Sequence, residues 1–547
     1  MGETTEAPKA PAVVDVIVDG ATRLGPLSYR VPSGMDLPPG TAVKVPFGNR
    51  TAYGFVLGAG TPSKATRDVL ETYGKRVTAA ELDLVATIAD RHLCHVSTIA
   101  ARLAPRDGKS AAPLQPGPPR LAPNLPRPAG LAGLGTNRRR RFYICAPLVS
   151  QPVVAAREAL RLADGGQVLV LCPTVEAVDA VMACFTSGAV RLDAAAARGS
   201  WGAFAQGTAT VGVGTRSAAL YSADRLAGIV VVEEDHPGHR ERHQPHTHAR
   251  DLAAERATRF GCALVLIGSN PTAMGLGAKV KAFPVGGPSD WPRMTLVDRN
   301  DLVPEERALP PVLVSAVQRA LERDQQPVVV TDGSAARWLC VRCGAVRSGP
   351  STRRSAFADT TDPCERCQTR RVRLVGWDAA RVKAAFPKGT RAVPAKDLGA
   401  VTDAGVVVIC ELESRLAAAG LDPDAAVVHL LVKAARAAGR GGRVVAASRD
   451  CAAPVLVDLF SRHDLMAVAR RTWSTAREHR LPPFERQVVI HTTTRPSTRG
   501  WPGTVLGPRQ AGSEWEVLVR LDDTELPVLA PFVARIRRRG KVRITVT

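Results

Sequence analysis

VVVEEDH, residues 230–236, decides how this chain is read. A run of β-branched apolar residues of this kind argues a strand buried on both faces. The acids at its end stand where a nucleotide-driven motor holds the Mg²⁺ of its nucleotide. Such a motor also needs a Gly-rich turn ending in Lys-Ser/Thr, whose backbone N–H groups and ammonium hold the phosphates. That turn belongs near residues 144–153, where the sequence is ICAPLVSQPV. Pro147 and Pro152 have no amide hydrogen to offer, Leu148 and Val149 block close backbone approach, and Lys is absent. The run therefore reads as a motor lobe without its phosphate loop.

Working outward from it, FYICAP, PVVAAREALRLAD, QVLVLCP and VEAVDAVMACF form a β-α-β-α series from residue 142. TATVGVG, GIVVVEE and CALVLIGS add strands, which predicts a parallel sheet covered on both faces. A second series, QPVVVTD, AGVVVICE, HLLVKAARAAG and RVVAAS, is interrupted by a Cys-rich insertion. Upstream, residues 12–60 read as short strands and tight turns, a small β-barrel-like module. Residues 78–104 have helical spacing, with Thr78 as N-cap and Glu81 as its capping-box partner. Residues 105–141 are dense in Pro and Gly and close with Arg138–Arg141, which predicts an extended, mobile linker. The GKS at 108–110 lies inside it with no strand before it and Leu103 where the leading Gly belongs, so it is not a phosphate loop. The tail, 485–547, looks α+β through QVVIHTT, EWEVLVRL and KVRITVT.

The net charge of +22 and pI near 10.1 imply a polyanionic partner, most simply nucleic acid. Only 12 of the 73 basic residues are Lys; GC-rich codon usage explains that ratio but not the missing acids. Aromatics at 4% argue against binding single strands mainly through stacked rings. No stretch of ~18 apolar residues marks a membrane span. The N-terminus lacks a basic region followed by an apolar one, so no signal peptide is expected. A cytoplasmic, nucleoid-associated location is expected.

Cys340-Val-Arg-Cys343 and Cys364-Glu-Arg-Cys367 are two C-x₂-C knuckles 20 residues apart. That spacing suits four thiolates around Zn²⁺, with Gly344 supplying the turn after the first pair. The stretch between them is too polar to hold itself by packing, and a metal would supply that stability. A redox pair would favour one knuckle beside a helix rather than two flanking a basic loop. The other seven Cys are scattered in mostly apolar surroundings and read as small core residues.

GTRSAAL (214–220), VVVEEDH, HARDLAAERA (248–257) and LVLIGSNPT (264–272) follow one another in order. This run resembles the first motor lobe of the primosomal protein N′ (PriA) family of replication-restart proteins. RVPSGMDLPPGTAVKVPFGNR (30–50) is similar to that family's N-terminal module, which holds a DNA 3′ end. The Cys knuckles fall where its zinc module interrupts the second lobe. HRLPPF (479–484) and VLGP (505–508) resemble segments at and within its C-terminal domain.

The resemblance implies a multidomain α/β protein. Its parts are an N-terminal β-rich DNA-binding module (1–104), the linker (105–141), and two RecA-like parallel-sheet lobes (142–325 and 326–478). A zinc insertion falls at about 338–370 and an α+β domain at 479–547. It places a degenerate nucleotide site at Glu233, Glu234, Asp235 and His236, with Arg436 and Arg440 as relics of an arginine finger. Glu233 stands where the family has Asp, and Pro152-Val153 stands in place of its Lys-Thr. The family's Gly-Thr-Gln box and winged-helix domain are not recognisable. Its eight zinc cysteines are reduced to the outer four, so one zinc ion is expected, with ATP and Mg²⁺ only as a vestige. His236, His239, His243, His246 and His248 fall in the family's basic loop and are not read as a metal cluster. Lys44, Asn49, Arg50, Arg216 and Arg250 become candidate DNA contacts, while Ser28 replaces the acid of the 3′-end pocket just before Tyr29. Forked or branched DNA, primosome proteins and the replicative helicase are the implied partners, with no membrane. The expected function is to bind stalled forks and promote primosome assembly and helicase reloading without unwinding. Two other readings stay open here: an active ATP-dependent 3′–5′ DNA helicase with an atypical nucleotide site, and a non-catalytic RNA- or DNA-binding scaffold.

Overall fold

The computed structural model describes residues 12–19, 25–72, 77–100, 102–103, 116–128, 141–147, 150–197, 199–269, 271–277, 281–284, 291–303, 306, 309–332, 337–347, 357–359, 362–413, 423–439 and 441–547. Leu148, Val149, Arg138–Arg140, Arg440 and the GKS at 108–110 lie outside them.

Among these residues Val13–Val18 (β1), Leu27–Arg30 (β2), Ala42–Phe47 (β3), Arg50–Ala59 (β4) and Glu71–Thr72 (β5) pair antiparallel in the order β2-β1-β4-β3-β5. Strand alternation sends Val14, Val16 and Val18 inward to meet Val43, Val45 and Val56. The sheet curls shut as expected of a barrel-like module: Arg30 N–H reaches Arg67 O (2.9 Å) and Val69 N–H reaches Arg30 O (3.0 Å), joining β2 to the chain entering β5. The helical stretch that follows splits in two, Ala79–Arg91 (α1) and Val96–Ala100 (α2). It breaks at Leu93, whose φ of 48° no helix can continue. Thr78 and Glu81 form the expected capping box, with bonds of 3.2 and 2.7 Å.

The expectation of a wholly extended, mobile linker is corrected over residues 116–128. Arg120–Leu121 (β6) pairs with a short strand of the first lobe, Ala122 N–H donates to Cys184 O (2.9 Å), and Arg157 clasps the carbonyls of Leu125 and Pro126 at 2.7 and 2.9 Å. Pro removes donors from this stretch, so the lobe's side chains and amides satisfy its carbonyls.

Seven parallel strands make the first lobe: Arg141–Cys145 (β7), Gln167–Cys172 (β8), Ala189–Leu192 (β10), Val211–Thr215 (β11), Leu226–Val231 (β12), Ala263–Gly268 (β13) and Lys281–Pro284 (β14). Their order is β10-β11-β8-β12-β13-β7-β14, and Phe185–Ser187 (β9) is the strand that receives β6. One face carries Phe142, Ile144, Val170 and Val230 against helix Gln151–Ala163 (α3). The other carries Tyr143, Leu169, Val231 and Leu266 against helix Ala249–Phe260 (numbered α6, after Val175–Met182 as α4 and Ser200–Ala205 as α5). Ion pairs Arg91–Glu255 and Asp83–Arg259 tie α1 to α6.

The second sheet holds Arg293–Asp298 (β15), Gln326–Thr331 (β16), Arg391–Pro394 (β21), Ala404–Ile409 (β22) and Arg443–Ser448 (β23), parallel in the order β15-β23-β22-β16-β21. The expected lobe boundary at 325 is therefore corrected: β15 pairs with β23, so the second lobe begins before it. Residue order alone cannot show which sheet a strand joins. Helix Pro423–Ala438 packs on this sheet. It is α10, counting Ala273–Gly277, Pro311–Leu321 and Ala379–Ala385 as α7 to α9.

The Cys-rich insertion forms an antiparallel sheet from Arg337–Cys340 (β17), Val346–Arg347 (β18), Phe357–Asp359 (β19) and Arg371–Val375 (β20), over a small core of Trp338, Val372 and Leu374. Helix Leu465–Glu478 (α11) leads to the last domain. There Arg486–Thr492 (β24), Thr504–Ala511 (β25), Glu514–Leu521 (β26) and Val542–Val546 (β27) form a sheet covered by helix Leu526–Arg537 (α12). No described helix is long and apolar enough to cross a membrane.

Candidate functional site

On either side of residues 148–149, the amides that follow β7 are already engaged. Ala146 N–H donates to Gly268 O (3.0 Å) and Ser150 N–H to Pro147 O (2.9 Å), so neither points into a cradle. Gln151, buried at the start of α3, braces the turn from below. Its Nε2 donates to Ala146 O (3.0 Å) and Ser269 Oγ (2.9 Å), and its Oε1 accepts the Glu233 N–H (3.1 Å). One amide thus ties the ends of β7, β12 and β13 together.

The four residues 233–236, just past the end of β12, are placed differently from one another. Glu233 has φ of 51°, a left-handed turn that breaks the strand and swings its side chain toward the second lobe. Burial raises its carboxyl above the usual range, while Arg436, His429 and Lys433 pull the other way. Glu234 points inward and is fully buried. Its Oε1 takes Arg250 and the Thr272 hydroxyl (2.8 Å), and its Oε2 takes the Tyr143 hydroxyl (3.3 Å). Both oxygens accept hydrogen bonds from within the lobe, which fixes this acid in the core. Asp235 Oδ2 lies 3.3 Å from His429 Nδ1 of α10. His236 caps a short turn by accepting Gly238 N–H (2.9 Å), and burial pushes its imidazole down to about 4. Arg436 is exposed on α10. The histidines of the following loop serve as local braces: His239 on Val232 O (2.7 Å), His246 on Glu241 O (3.0 Å) and His248 as the N-cap of α6.

The candidate DNA contacts divide. Asn49 and Arg50 are exposed at the β3–β4 turn, with Arg50 over the Phe47 ring at 5.6 Å, and Lys44 is paired to Glu71 at 3.2 Å on the same sheet. Arg216 is half-buried, donating to Gly238 O (3.2 Å) and facing Glu241 (3.4 Å). Arg250 is corrected: it is buried between Glu234 and Asp251, where it cannot reach a phosphate. Sequence reasoning missed Asp15. It lies opposite Ser28 across β1 and β2 and accepts the serine hydroxyl at 2.6 Å, so a carboxylate stands beside Ser28, on the sheet face opposite the Tyr29 ring. Only the strand register brings the two together.

Among the described residues a single group can hold a metal ion: the sulfurs of Cys340, Cys343, Cys364 and Cys367, all within 4.8 Å of one another. Cys340 and Cys367 are 3.3 Å apart and Cys343 and Cys364 3.6 Å. A tetrahedral ion with bonds of about 2.3 Å requires about 3.8 Å between sulfurs, so the cluster fits. Each knuckle turns the same way: Gly344 N–H donates to Cys340 O (3.0 Å) and Gln368 N–H to Cys364 O (2.8 Å), at φ of 70° and 61°. Gly344 is the turn residue expected; its counterpart in the second knuckle is Gln368. The Thr369 backbone N–H and hydroxyl pull the Cys367 thiol down to about 6, toward the thiolate a metal needs.

Residues 15–105 match the family model of the PriA 3′DNA-binding domain (3′BD). No curated protein matches the chain. Among solved structures, the chain is similar to S. cerevisiae Dbp5 bound to RNA and ADP BeF3, at 11% identity and a TM-score of 0.30, over 61% of this chain and 83% of that one. It is also similar to the Escherichia coli DEAH/RHA helicase HrpB, at 11% identity and a TM-score of 0.29, over 56% of this chain and 40% of that one. With its N-terminal module matched and its parallel-sheet lobes and Cys₄ cluster in the expected order, the resemblance of this chain to primosomal protein N′, PriA, is borne out.

Proposed function

We propose that this protein binds stalled or branched replication forks and promotes primosome assembly and reloading of the replicative helicase, without ATP-driven unwinding of its own. The observation that carries the second half is the Gln151 brace, which ties together the ends of β7, β12 and β13 beside which a motor keeps its phosphate loop. A missing cradle removes several charge-assisted bonds to phosphate, each worth about 1.5–3 kcal/mol. Glu234, the acid at the catalytic position of the resemblance, is enclosed as well, bonded to Arg250, Thr272 and Tyr143.

The first half rests on the 3′BD match, the excess positive charge and the exposed turn at Gly48, Asn49 and Arg50. In this reading the N-terminal module (1–104) holds the DNA end, the two lobes form a rigid frame, and the last domain (479–547) adds basic surface. One zinc ion, held by Cys340, Cys343, Cys364 and Cys367, supplies the cross-link that shapes a protrusion for partner proteins. The protein works in the cytoplasm on the nucleoid.

The test is fork-DNA binding by the full chain with and without ATP·Mg²⁺, beside an ATPase assay. Tight, salt-sensitive binding unaffected by ATP is expected. DNA-stimulated ATP hydrolysis would make it an active helicase with an unusual site. Preference for RNA hairpins over forks would make it an RNA-associated scaffold.

A further inference from the structure

α10 carries His429, Lys433 and Arg436 at spacings of four and three, which places them on one face of the helix. That face meets the first lobe at Glu233, Asp235 and His236. The closest contact is the His429 Nδ1–Asp235 Oδ2 bond at 3.3 Å, and the His236 and His429 rings meet edge-on at 5.8 Å. His429 Nε2 is buried on the far side of the ring with no hydrogen-bond partner, so Nδ1 carries its polar contact. Lys433 is half-buried one turn after His429 on the same helix face. In a two-lobed motor, cations that cross the cleft meet the phosphates of a bound nucleotide and draw the lobes together. Here His429 meets a carboxylate, that of Asp235.

We infer that His429 latches the second lobe onto Asp235 of the first, with Lys433 and Arg436 adding positive charge on the same helix face, so that the lobes are held closed with no nucleotide between them. The latch rests on the reading of the cleft as free of nucleotide, and extends it: lobe closure is a built-in property of the chain rather than a step in a cycle. A half-buried polar pair across an interface sets its register and slows its opening, which suits a frame that holds DNA rather than moves along it. Breaking the pair from either lobe should release the same motion.

The experiment measures the distance between spin labels carried by non-natural residues at the exposed positions Glu176 in the first lobe and Glu322 in the second, in the full chain. The wild type should give one narrow distribution that ATP·Mg²⁺ does not move. His429→Ala with Lys433→Ala, and separately the nearly isosteric Asp235→Asn, should each broaden it or shift it to longer distance. Circular dichroism confirms that each variant is folded, and D235N decides if the double variant is not. A wild-type distribution that shifts with ATP·Mg²⁺, or one that stays unchanged in D235N, would overturn the latch. Fork binding is followed in the same samples: its absence from the wild type would sink the proposed function, whereas an unmoved distance with fork binding intact sinks only the latch.

Discussion

The amide oxygen of Gln151 accepts the backbone N–H of Glu233 at 3.1 Å, joining the first turn of α3 to the acidic strand end that a nucleotide motor would keep apart to admit phosphate and metal. The same side chain donates to Ala146 and Ser269, so its loss would strand buried polar groups on two strand ends. Gln151→Ala should therefore lower stability by about 1–3 kcal/mol in urea denaturation, without creating ATPase activity. An unchanged midpoint would show that the brace contributes nothing.

His239 is fully buried, and burial pushes its imidazole down to about 4 from an ordinary 6.5. The unfolded chain therefore takes up this proton first as pH falls. The contribution is complete above pH ~6.5, declines from there towards pH ~4, and amounts to about 1–3 kcal/mol. Denaturation midpoints at pH 7.5 and 5 should differ in that direction. His239→Gln, which keeps a donor for Val232 O, should flatten the difference; equal slopes would remove His239 from the account.

Metal analysis of the purified chain should find close to one zinc per molecule, falling to near zero in Cys340→Ser. Chelation should unfold the β17–β20 ribbon while leaving the two parallel sheets intact, because Trp338, Val372 and Leu374 are too small a core to stand alone. Two zinc ions per chain would mean that ligands outside the four sulfurs exist.

Lys44→Ala and Arg50→Ala should each weaken fork binding and lower the salt slope by about 1 if each contacts one phosphate. Arg250→Ala should behave differently. Leaving Glu234 buried without its cation should destabilise the fold by about 3–5 kcal/mol, seen in urea before any DNA is added. An R250A protein of normal stability with a reduced salt slope would restore Arg250 as a DNA contact.

Much of this was legible along the chain because its physics is local. The knuckle spacing brings sulfurs together through turns of a few residues, and Thr78 and Glu81 meet within one helical turn. The lost phosphate loop is visible in the sequence because such a loop is contiguous, and prolines at 147 and 152 exclude its amide donors wherever the segment lies. Gln151 carried no such signal, since a lone Gln beside a Pro is unremarkable until the ends of β12 and β13 are set against it. The linker misled for a related reason: its composition forbids a core of its own but does not forbid seating on another.

By itself, then, the order of residues determined the element types, the four clustered sulfurs and the lack of a Gly-rich turn ending in Lys-Ser/Thr at residues 144–153, each of which depends on neighbours within about one turn or one loop. Tertiary structure alone decided that Asp15 faces Ser28, that Arg250 is buried against Glu234, that β15 joins the second sheet, and that α10 meets the acids of the first lobe. Those pairings follow from strand register and sheet order, which are set by how whole hydrophobic faces fit together and not by any residue's neighbours in the chain.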